Sequence, residues 1–157
     1  MRQSFPILIS VENAGGPDAT RLIRQLDDDL LRRYPALRKT HGLVPEDLND
    51  PGFTFLLARA DGRGVGCGAL RVLEPGIGEV KRMFVIPEFR RSGIARRILE
   101  ALESRARESG HTFVRLETST GQPEAIGLYR SAGYHEIAPF GEYAGNPFSV
   151  CFERCLW

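Results

Sequence analysis

The chain has 157 residues, 42% hydrophobic and 26% charged, which fits one soluble domain that can bury a core without disulfides or metals. Twenty-one basic residues stand against 20 acidic ones, and that balance argues against the broad basic footprint of a nucleic-acid binder. No run approaches the ~18 apolar residues of a membrane span, and residues 5–11 are too short, with Pro6 inside them, to be a signal peptide.

These features predict a cytoplasmic protein that meets neither nucleic acid nor membrane. Cys67, Cys151 and Cys155 are odd in number and fit no disulfide framework or zinc pair. They read as buried free thiols in a reducing compartment, and no metal site is expected.

Residues 5–11 read as a strand. Gly15-Gly16-Pro17-Asp18 breaks it and starts a helix, in which Ala19, Leu22, Ile23, Leu26 and Leu30 recur at helical spacing up to Tyr34-Pro35. The run Asp27-Asp28-Asp29 rides on this helix as solvated charge. Residues 35–52 look irregular, with a short helical turn at Pro45-Glu46-Asp47-Leu48.

Strands follow at 53–60 and 65–73, joined by the Asp61-Gly62 turn as a hairpin, and a third runs from 77 to 86. The next helix keeps Ala95, Ile98, Leu99, Leu102 and Ala106 on one face and pairs Glu103 with Arg107 on its polar side. Gly110 stops it. Residues 112–117 form the following strand, so strand, helix and strand make a right-handed parallel crossover.

Pro123 opens another helix and Gly133 closes it. Two last strands, 134–137 and 149–156, are joined by a loop rich in Gly, Pro and aromatics. The last strand, with Val150, Phe152 and Leu156 along one side, either finishes the sheet or pairs with a second subunit in a homodimer. The order predicts an α+β fold: a mixed, mostly antiparallel sheet with one central parallel crossover and flanking helices, as one domain over 1–157. A doubly wound fold would alternate strand and helix throughout.

The most informative stretch is 85–99. An apolar strand enters the basic loop Arg90-Arg91-Ser92-Gly93, which turns directly into a helix. Such a turn aims backbone N–H groups and the positive end of a helix dipole at one point, as a phosphate or pyrophosphate requires. Lys81, Arg82, Arg90, Arg91, Arg96 and Arg97 crowd around it; as a charge run alone they read as a solvated face. A dinucleotide fingerprint would want three glycines where Gly93-Ile94-Ala95-Arg96-Arg97-Ile98 offers one, although Glu117 stands about 20 residues on, near a ribose-binding acid's place.

Three motifs occur in one register. Arg90-Arg91-Ser92-Gly93-Ile94-Ala95 fits an [Arg/Gln]-x-x-Gly-x-[Gly/Ala] loop. Glu79-Val80-Lys81-Arg82-Met83-Phe84-Val85 leads into it. Leu128-Tyr129-Arg130-Ser131-Ala132-Gly133-Tyr134 ends the last helix and enters the strand after it. Together, over about residues 53–157, they resemble the GNAT superfamily of acyl-CoA-dependent N-acyltransferases.

The resemblance implies acetyl-CoA as cosubstrate and a small-molecule or peptide amine as acceptor. It implies that Met83, Phe84 and Val85 meet the pantetheine arm through the backbone, which needs the two parallel strands to splay. It implies that Arg90, Arg91, Ser92, Gly93, Ile94, Ala95 and Arg96 hold the pyrophosphate. Relatives often carry glycine at the place of Arg91 and asparagine at the place of Gln122, whose amide would reach the pantetheine.

Acyl transfer needs a neutral amine, whereas a lysine-like amine has a pKa near ~10.4, and the leaving thiolate benefits from a proton. The resemblance makes Tyr129 that acid; the residues alone also allow a core tyrosine among Ala125, Ile126, Leu128 and Ala132. Glu79 is the candidate base, or a strand-end carboxylate that attracts a cation, and Glu117 is the second choice. His111 and His135 read as surface residues, and His41 as a candidate for the acceptor site. Residues 19–50 and 140–147 frame the acceptor pocket, where Asp27, Tyr34, Glu142 and Tyr143 suggest a cationic or amphipathic amine. A catalytically silent CoA-binding or partner-binding domain is the alternative function.

Overall fold

The computed structural model describes residues 5–33 and 50–157. The expected turn at Pro45-Glu46-Asp47-Leu48, Tyr34 and His41 lie outside the described residues. Among the described residues, β1 (Ile7–Val11), α1 (Pro17–Arg33), β2 (Phe53–Ala60), β3 (Arg63–Glu74), β4 (Ile77–Val85), α2 (Ile94–Glu108), β5 (Phe113–Ser119), α3 (Pro123–Ser131), β6 (His135–Ile137) and β7 (Ser149–Cys155) follow in that order. The strands form one sheet in the order β1-β2-β3-β4-β5-β7-β6. Every neighbouring pair is antiparallel except β4 with β5, the parallel pair that α2 connects. The mixed α+β architecture with one central crossover is therefore as the element order predicts.

The apolar face of α2 explains its seat. Ile98, Leu99, Leu102 and Ala106 are fully buried. A Cβ built on Gly68 of β3 would lie 2.7 Å from Met83 Sδ and 2.8 Å from Ile98 Cγ2. A bare backbone at that point lets the helix lie flat on the sheet. Phe55, Leu57, Leu116 and Phe152 complete the buried interior from β2, β5 and β7.

The expected surface pair on α2 is not formed. Glu103 is 2% exposed and takes hydrogen bonds from the Tyr134 hydroxyl at 2.8 Å and from Arg154 Nη1 at 2.8 and 2.9 Å. Arg107 Nε donates instead to the Leu156 carbonyl at 3.0 Å. Helical spacing gave both partners the right separation but not the face on which Glu103 lies.

The acidic run of α1 is likewise not simply solvated. Asp27 holds Arg82 at 2.7 Å, and Asp29 pairs with Arg32 and Arg33 of its own helix and reaches Arg90 at 3.9 Å. His111 is buried between α2 and β5 rather than on the surface, whereas His135 is exposed as expected. Cys67 and Cys151 are buried free thiols, and Cys155, at the end of β7, is exposed. Burial pushes the Cys67 thiol up to about 12.

The last strand lies inside the sheet, and β6 forms the edge beyond it. β7 has β5 on one side over its whole length and β6 on the other at residues 151–153. It is thus the second strand from that edge of the sheet. Nothing in the structure explains Gly127, where an added Cβ would meet nothing within 4 Å.

One irregularity positions the site. The parallel register of β4 and β5 runs from Ile77–Phe113 to Val80–Leu116 and stops there, although both strands continue. On the other side of β4, Cys67 and Ala69 pair with Phe84 and Lys81, so Gly68 of β3 stands opposite two residues of β4, Arg82 and Met83. Arg82 takes the left-handed conformation at φ 58° within this bulge. Bulges bend the strand that carries them, and here the bend carries the end of β4 away from β5.

Candidate active site

The splayed strands open a cavity of about 750 Å³. Val80, Lys81, Arg82 and Met83 of β4 form one wall, and Glu117, Thr118 and Ser119 of β5 form the other. Leu26 and Leu30 of α1, Gln122 and Tyr129 at α3, and Tyr143 and Phe148 from the loop before β7 close it. The splay that backbone pairing with a pantetheine arm would require is thus present, with Met83 on the cavity wall. Phe84 and Val85 follow with their side chains buried.

The loop leading into α2 is built around two left-handed residues, Arg91 at φ 62° and Gly93 at φ 82°. Glycine adopts that conformation freely and arginine rarely does. No side chain caps α2, and the space where a Cβ of Gly93 would stand is open. The first N–H groups of the helix therefore face outward beside an exposed Arg91, Ser92 and Gly93. Ile94 points inward at 2% exposure, so only its backbone is offered, and Ala95 is half-buried.

The neighbouring arginines also have internal work. Arg90 Nε donates to the Val85 carbonyl at 2.9 Å, and its guanidinium lies 5.6 Å from the centre of the Phe84 ring. Arg96 donates to the Ser131 hydroxyl, which ties α2 to α3. Arg97 donates to the Ile7 carbonyl at 2.9 Å and so points toward β1. This set of uncapped N–H groups, a residue without a side chain and nearby cations fits a pyrophosphate.

Tyr129 is both a core and a cavity residue. It is 6% exposed, with its ring centre 6.0 Å from that of Tyr134 and 6.2 Å from that of Phe152, and it lines the cavity. Burial, reinforced by the charge of Glu117, pushes its phenol well above the usual tyrosine range. The group stays protonated at neutral pH.

Glu79 is not at an exposed strand end. It is 0% exposed, and among the described residues the cavity is lined by Val80 and Lys81 but not by Glu79 itself. Its Oε1 accepts from Arg71 Nε at 2.6 Å, and its Oε2 accepts from the Tyr143 hydroxyl at 2.9 Å with Lys81 Nζ at 4.0 Å. Glu117, by contrast, lines the cavity and accepts from the Ser149 hydroxyl at 2.8 Å. Gln122 lines the cavity at the start of α3 without capping that helix.

The acidic side chains that suggested a cationic acceptor are committed to basic partners. Asp27 faces Arg82, and Glu142 accepts from Lys81 at 3.2 Å. The link that sequence reasoning missed is Tyr143 to Glu79, 64 positions apart and joined across the cavity wall. No local pattern carries such a signal. Among the described residues there is no group of three or more His, Cys, Asp or Glu placed to hold a metal. No helix among them is long and apolar enough to cross a membrane.

A family model described as the acetyltransferase (GNAT) family matches residues 21–134. The chain belongs to the GNAT acetyltransferase family. It is 44% identical over 137 residues to the IAA acetyltransferase of Azospirillum brasilense, covering 87% of this chain and 89% of that relative. A solved structure from Klebsiella pneumoniae, described as an acyl-CoA N-acyltransferase, superposes with a TM-score of 0.80 at 31% identity, covering 96% of this chain and 98% of that one. A GNAT acetyltransferase from Elizabethkingia anophelis with acetyl-CoA bound shares the fold at a TM-score of 0.68 and 16% identity, over 95% and 97% of the two chains. The GNAT fold seen here is the one that the three sequence motifs implied.

Proposed function

We propose that this protein, as a single catalytic domain over residues 1–157, transfers the acetyl group of acetyl-CoA to a primary amine of a small molecule or peptide. The observation that carries the reading is the opened β4–β5 seam, lined by a buried Tyr129, on a strand that runs on into the loop before the uncapped N-terminus of α2. When bound, acetyl-CoA supplies the activated thioester. Backbone groups of Met83, Phe84 and Val85 would take its pantetheine arm, and Gln122 would meet it from α3. The loop Arg90, Arg91, Ser92, Gly93, Ile94 and Ala95, with Arg96, would hold its phosphates by N–H groups and charge.

Catalysis then follows from two groups. Tyr129, neutral at working pH, gives its proton to the departing sulfur. Glu79 is the carboxylate that takes the proton lost by the amine, with Glu117 as the rival because it faces the cavity directly. Attack happens while both substrates are bound. The free thiols fit a reducing, cytoplasmic setting.

Calorimetric titration with acetyl-CoA, with NAD as control, tests the binding half. Saturable binding of acetyl-CoA alone supports the reading, and absence of binding overturns it. Tyr129→Phe tests the chemical half: kcat on a reactive amine should fall by about 10²-fold with acetyl-CoA affinity unchanged. Unchanged turnover removes Tyr129 from the acid role. Tight acetyl-CoA binding with no transfer to a broad amine panel would instead mark a cofactor-binding domain without catalysis.

A further inference from the structure

We propose that Tyr143 is a proton-relay residue: its hydroxyl passes the proton of the attacking amine from the cavity to the buried carboxylate of Glu79. This rests on the acetyl-transfer reading above and deepens it. A general base must stand within hydrogen-bond reach of the proton that it removes, directly or through one intermediary. Glu79 is 0% exposed and off the cavity wall, whereas Tyr143 is on that wall and bonded to it at 2.9 Å.

The direction of the hydrogen bonds is the one a relay requires. A phenol has one proton to donate, and that of Tyr143 is committed to Glu79 Oε2. Toward every other neighbour the oxygen is an acceptor, and it takes an N–H from Lys81 Nζ at 2.9 Å. An N–H arriving from the cavity side therefore meets an acceptor whose own proton already points at the base. Burial and the charge of Glu79 push the phenol well above the usual tyrosine range. The resting form is the neutral phenol, and the two protons move together rather than through a phenolate.

The loop around Tyr143 holds this geometry. Gly141–Tyr143 is a single tight turn, closed by Tyr143 N–H to the Phe140 carbonyl at 3.0 Å. The Phe140 ring stands edge-on to the Tyr143 ring at 5.3 Å, and Lys81 Nζ lies 5.5 Å from its centre.

The step balances. The amine lone pair forms the new C–N bond to the thioester carbonyl carbon, and the C–S electrons leave on sulfur, which takes the proton of Tyr129. One N–H proton of the amine, made acidic by the new bond, goes to the Tyr143 oxygen as the Tyr143 proton goes to Glu79. Exchange with solvent then returns a proton to Tyr129 and removes one from Glu79.

The test compares Tyr143→Phe, Glu79→Gln and the double variant with Tyr134→Phe, which removes a hydroxyl bonded to the other buried glutamate. Release of CoA thiol is followed with tyramine, ethanolamine and lysine ethyl ester as acceptors, against pH, with melting temperatures alongside. Tyr143→Phe should lower kcat by about 10²-fold, with activity climbing as pH rises toward the amine's own pKa. The double variant should be no worse than either single one, because the pair acts as a unit. Tyr134→Phe should leave kcat within about twofold while lowering the melting temperature.

A Tyr143→Phe enzyme within about threefold of wild type at every pH overturns the relay. So does Glu117→Gln alone abolishing activity while Tyr143→Phe and Glu79→Gln remain active. Wild-type protein that binds acetyl-CoA yet acetylates none of the amines overturns the underlying reading, and the relay falls with it.

Discussion

Glu79 and Glu103 are both buried in the interior of this protein, at 0% and 2% exposure. Each takes a hydrogen bond from a tyrosine hydroxyl, at 2.9 Å from Tyr143 and 2.8 Å from Tyr134. Each also has an arginine, Arg71 at 2.6 Å and Arg154 at 2.8 Å. What separates them is the position of the tyrosine. Tyr134 packs against Tyr129 in the core, so its cluster pins α2 to β7. Tyr143 stands on the cavity wall, with Lys81 as a further cation in the cluster. The same three residue types thus make a cross-link in one place and a candidate proton path in the other; both tyrosines are 4% exposed, and the difference is that Tyr143 lines the cavity.

The comparison is broken most forcefully at Arg154. Arg154→Ala leaves the Glu103 charge buried with only the Tyr134 hydroxyl, and the protein should lose about 3 kcal/mol of stability, read by urea denaturation. Arg71→Ala should cost about 1–2 kcal/mol, because Lys81 and Tyr143 remain beside Glu79. Equal losses at the two sites would show that Lys81 gives Glu79 no support. Phe140→Leu sharpens the comparison with the smallest effect. It removes the edge-on ring behind Tyr143 and should lower stability by about 0.5–1 kcal/mol. Its effect on kcat should nevertheless exceed that of Arg154→Ala, because Phe140 packs on Tyr143 and Arg154 serves the Glu103 cluster.

The fold was legible wherever local pattern and tertiary structure ask for the same thing. The Ile98, Leu99 and Leu102 stripe marked α2, Asp61-Gly62 marked the β2–β3 turn, and Pro123 and Gly133 bracketed α3. The helix entrance at Gly93 was legible because its left-handed backbone restricts residue choice. Long-range pairing was not. Glu103 and Arg107 have the spacing of a surface pair, yet Glu103 finds Arg154 51 positions away. Asp27 looked like solvated charge because its partner, Arg82, sits in a bulge that no local pattern announces. Tyr143 stood out only as a loop residue that suggested a cationic or amphipathic acceptor. Its meaning depends on Glu79, which it meets only in the folded chain, 64 positions away.

The β4–β5 seam has a mechanical consequence. Four residue pairs hold it at one end, and just before them Thr112 and Phe113 both donate to the Gly76 carbonyl, at 2.8 and 3.2 Å. The other end has no rungs. Such a seam is a pair of tongs with its pivot at Gly76 and its jaws at Met83 and Ser119. The jaws part at the bulge around Arg82, and Glu79 stands among the four pairs that hold the closed end.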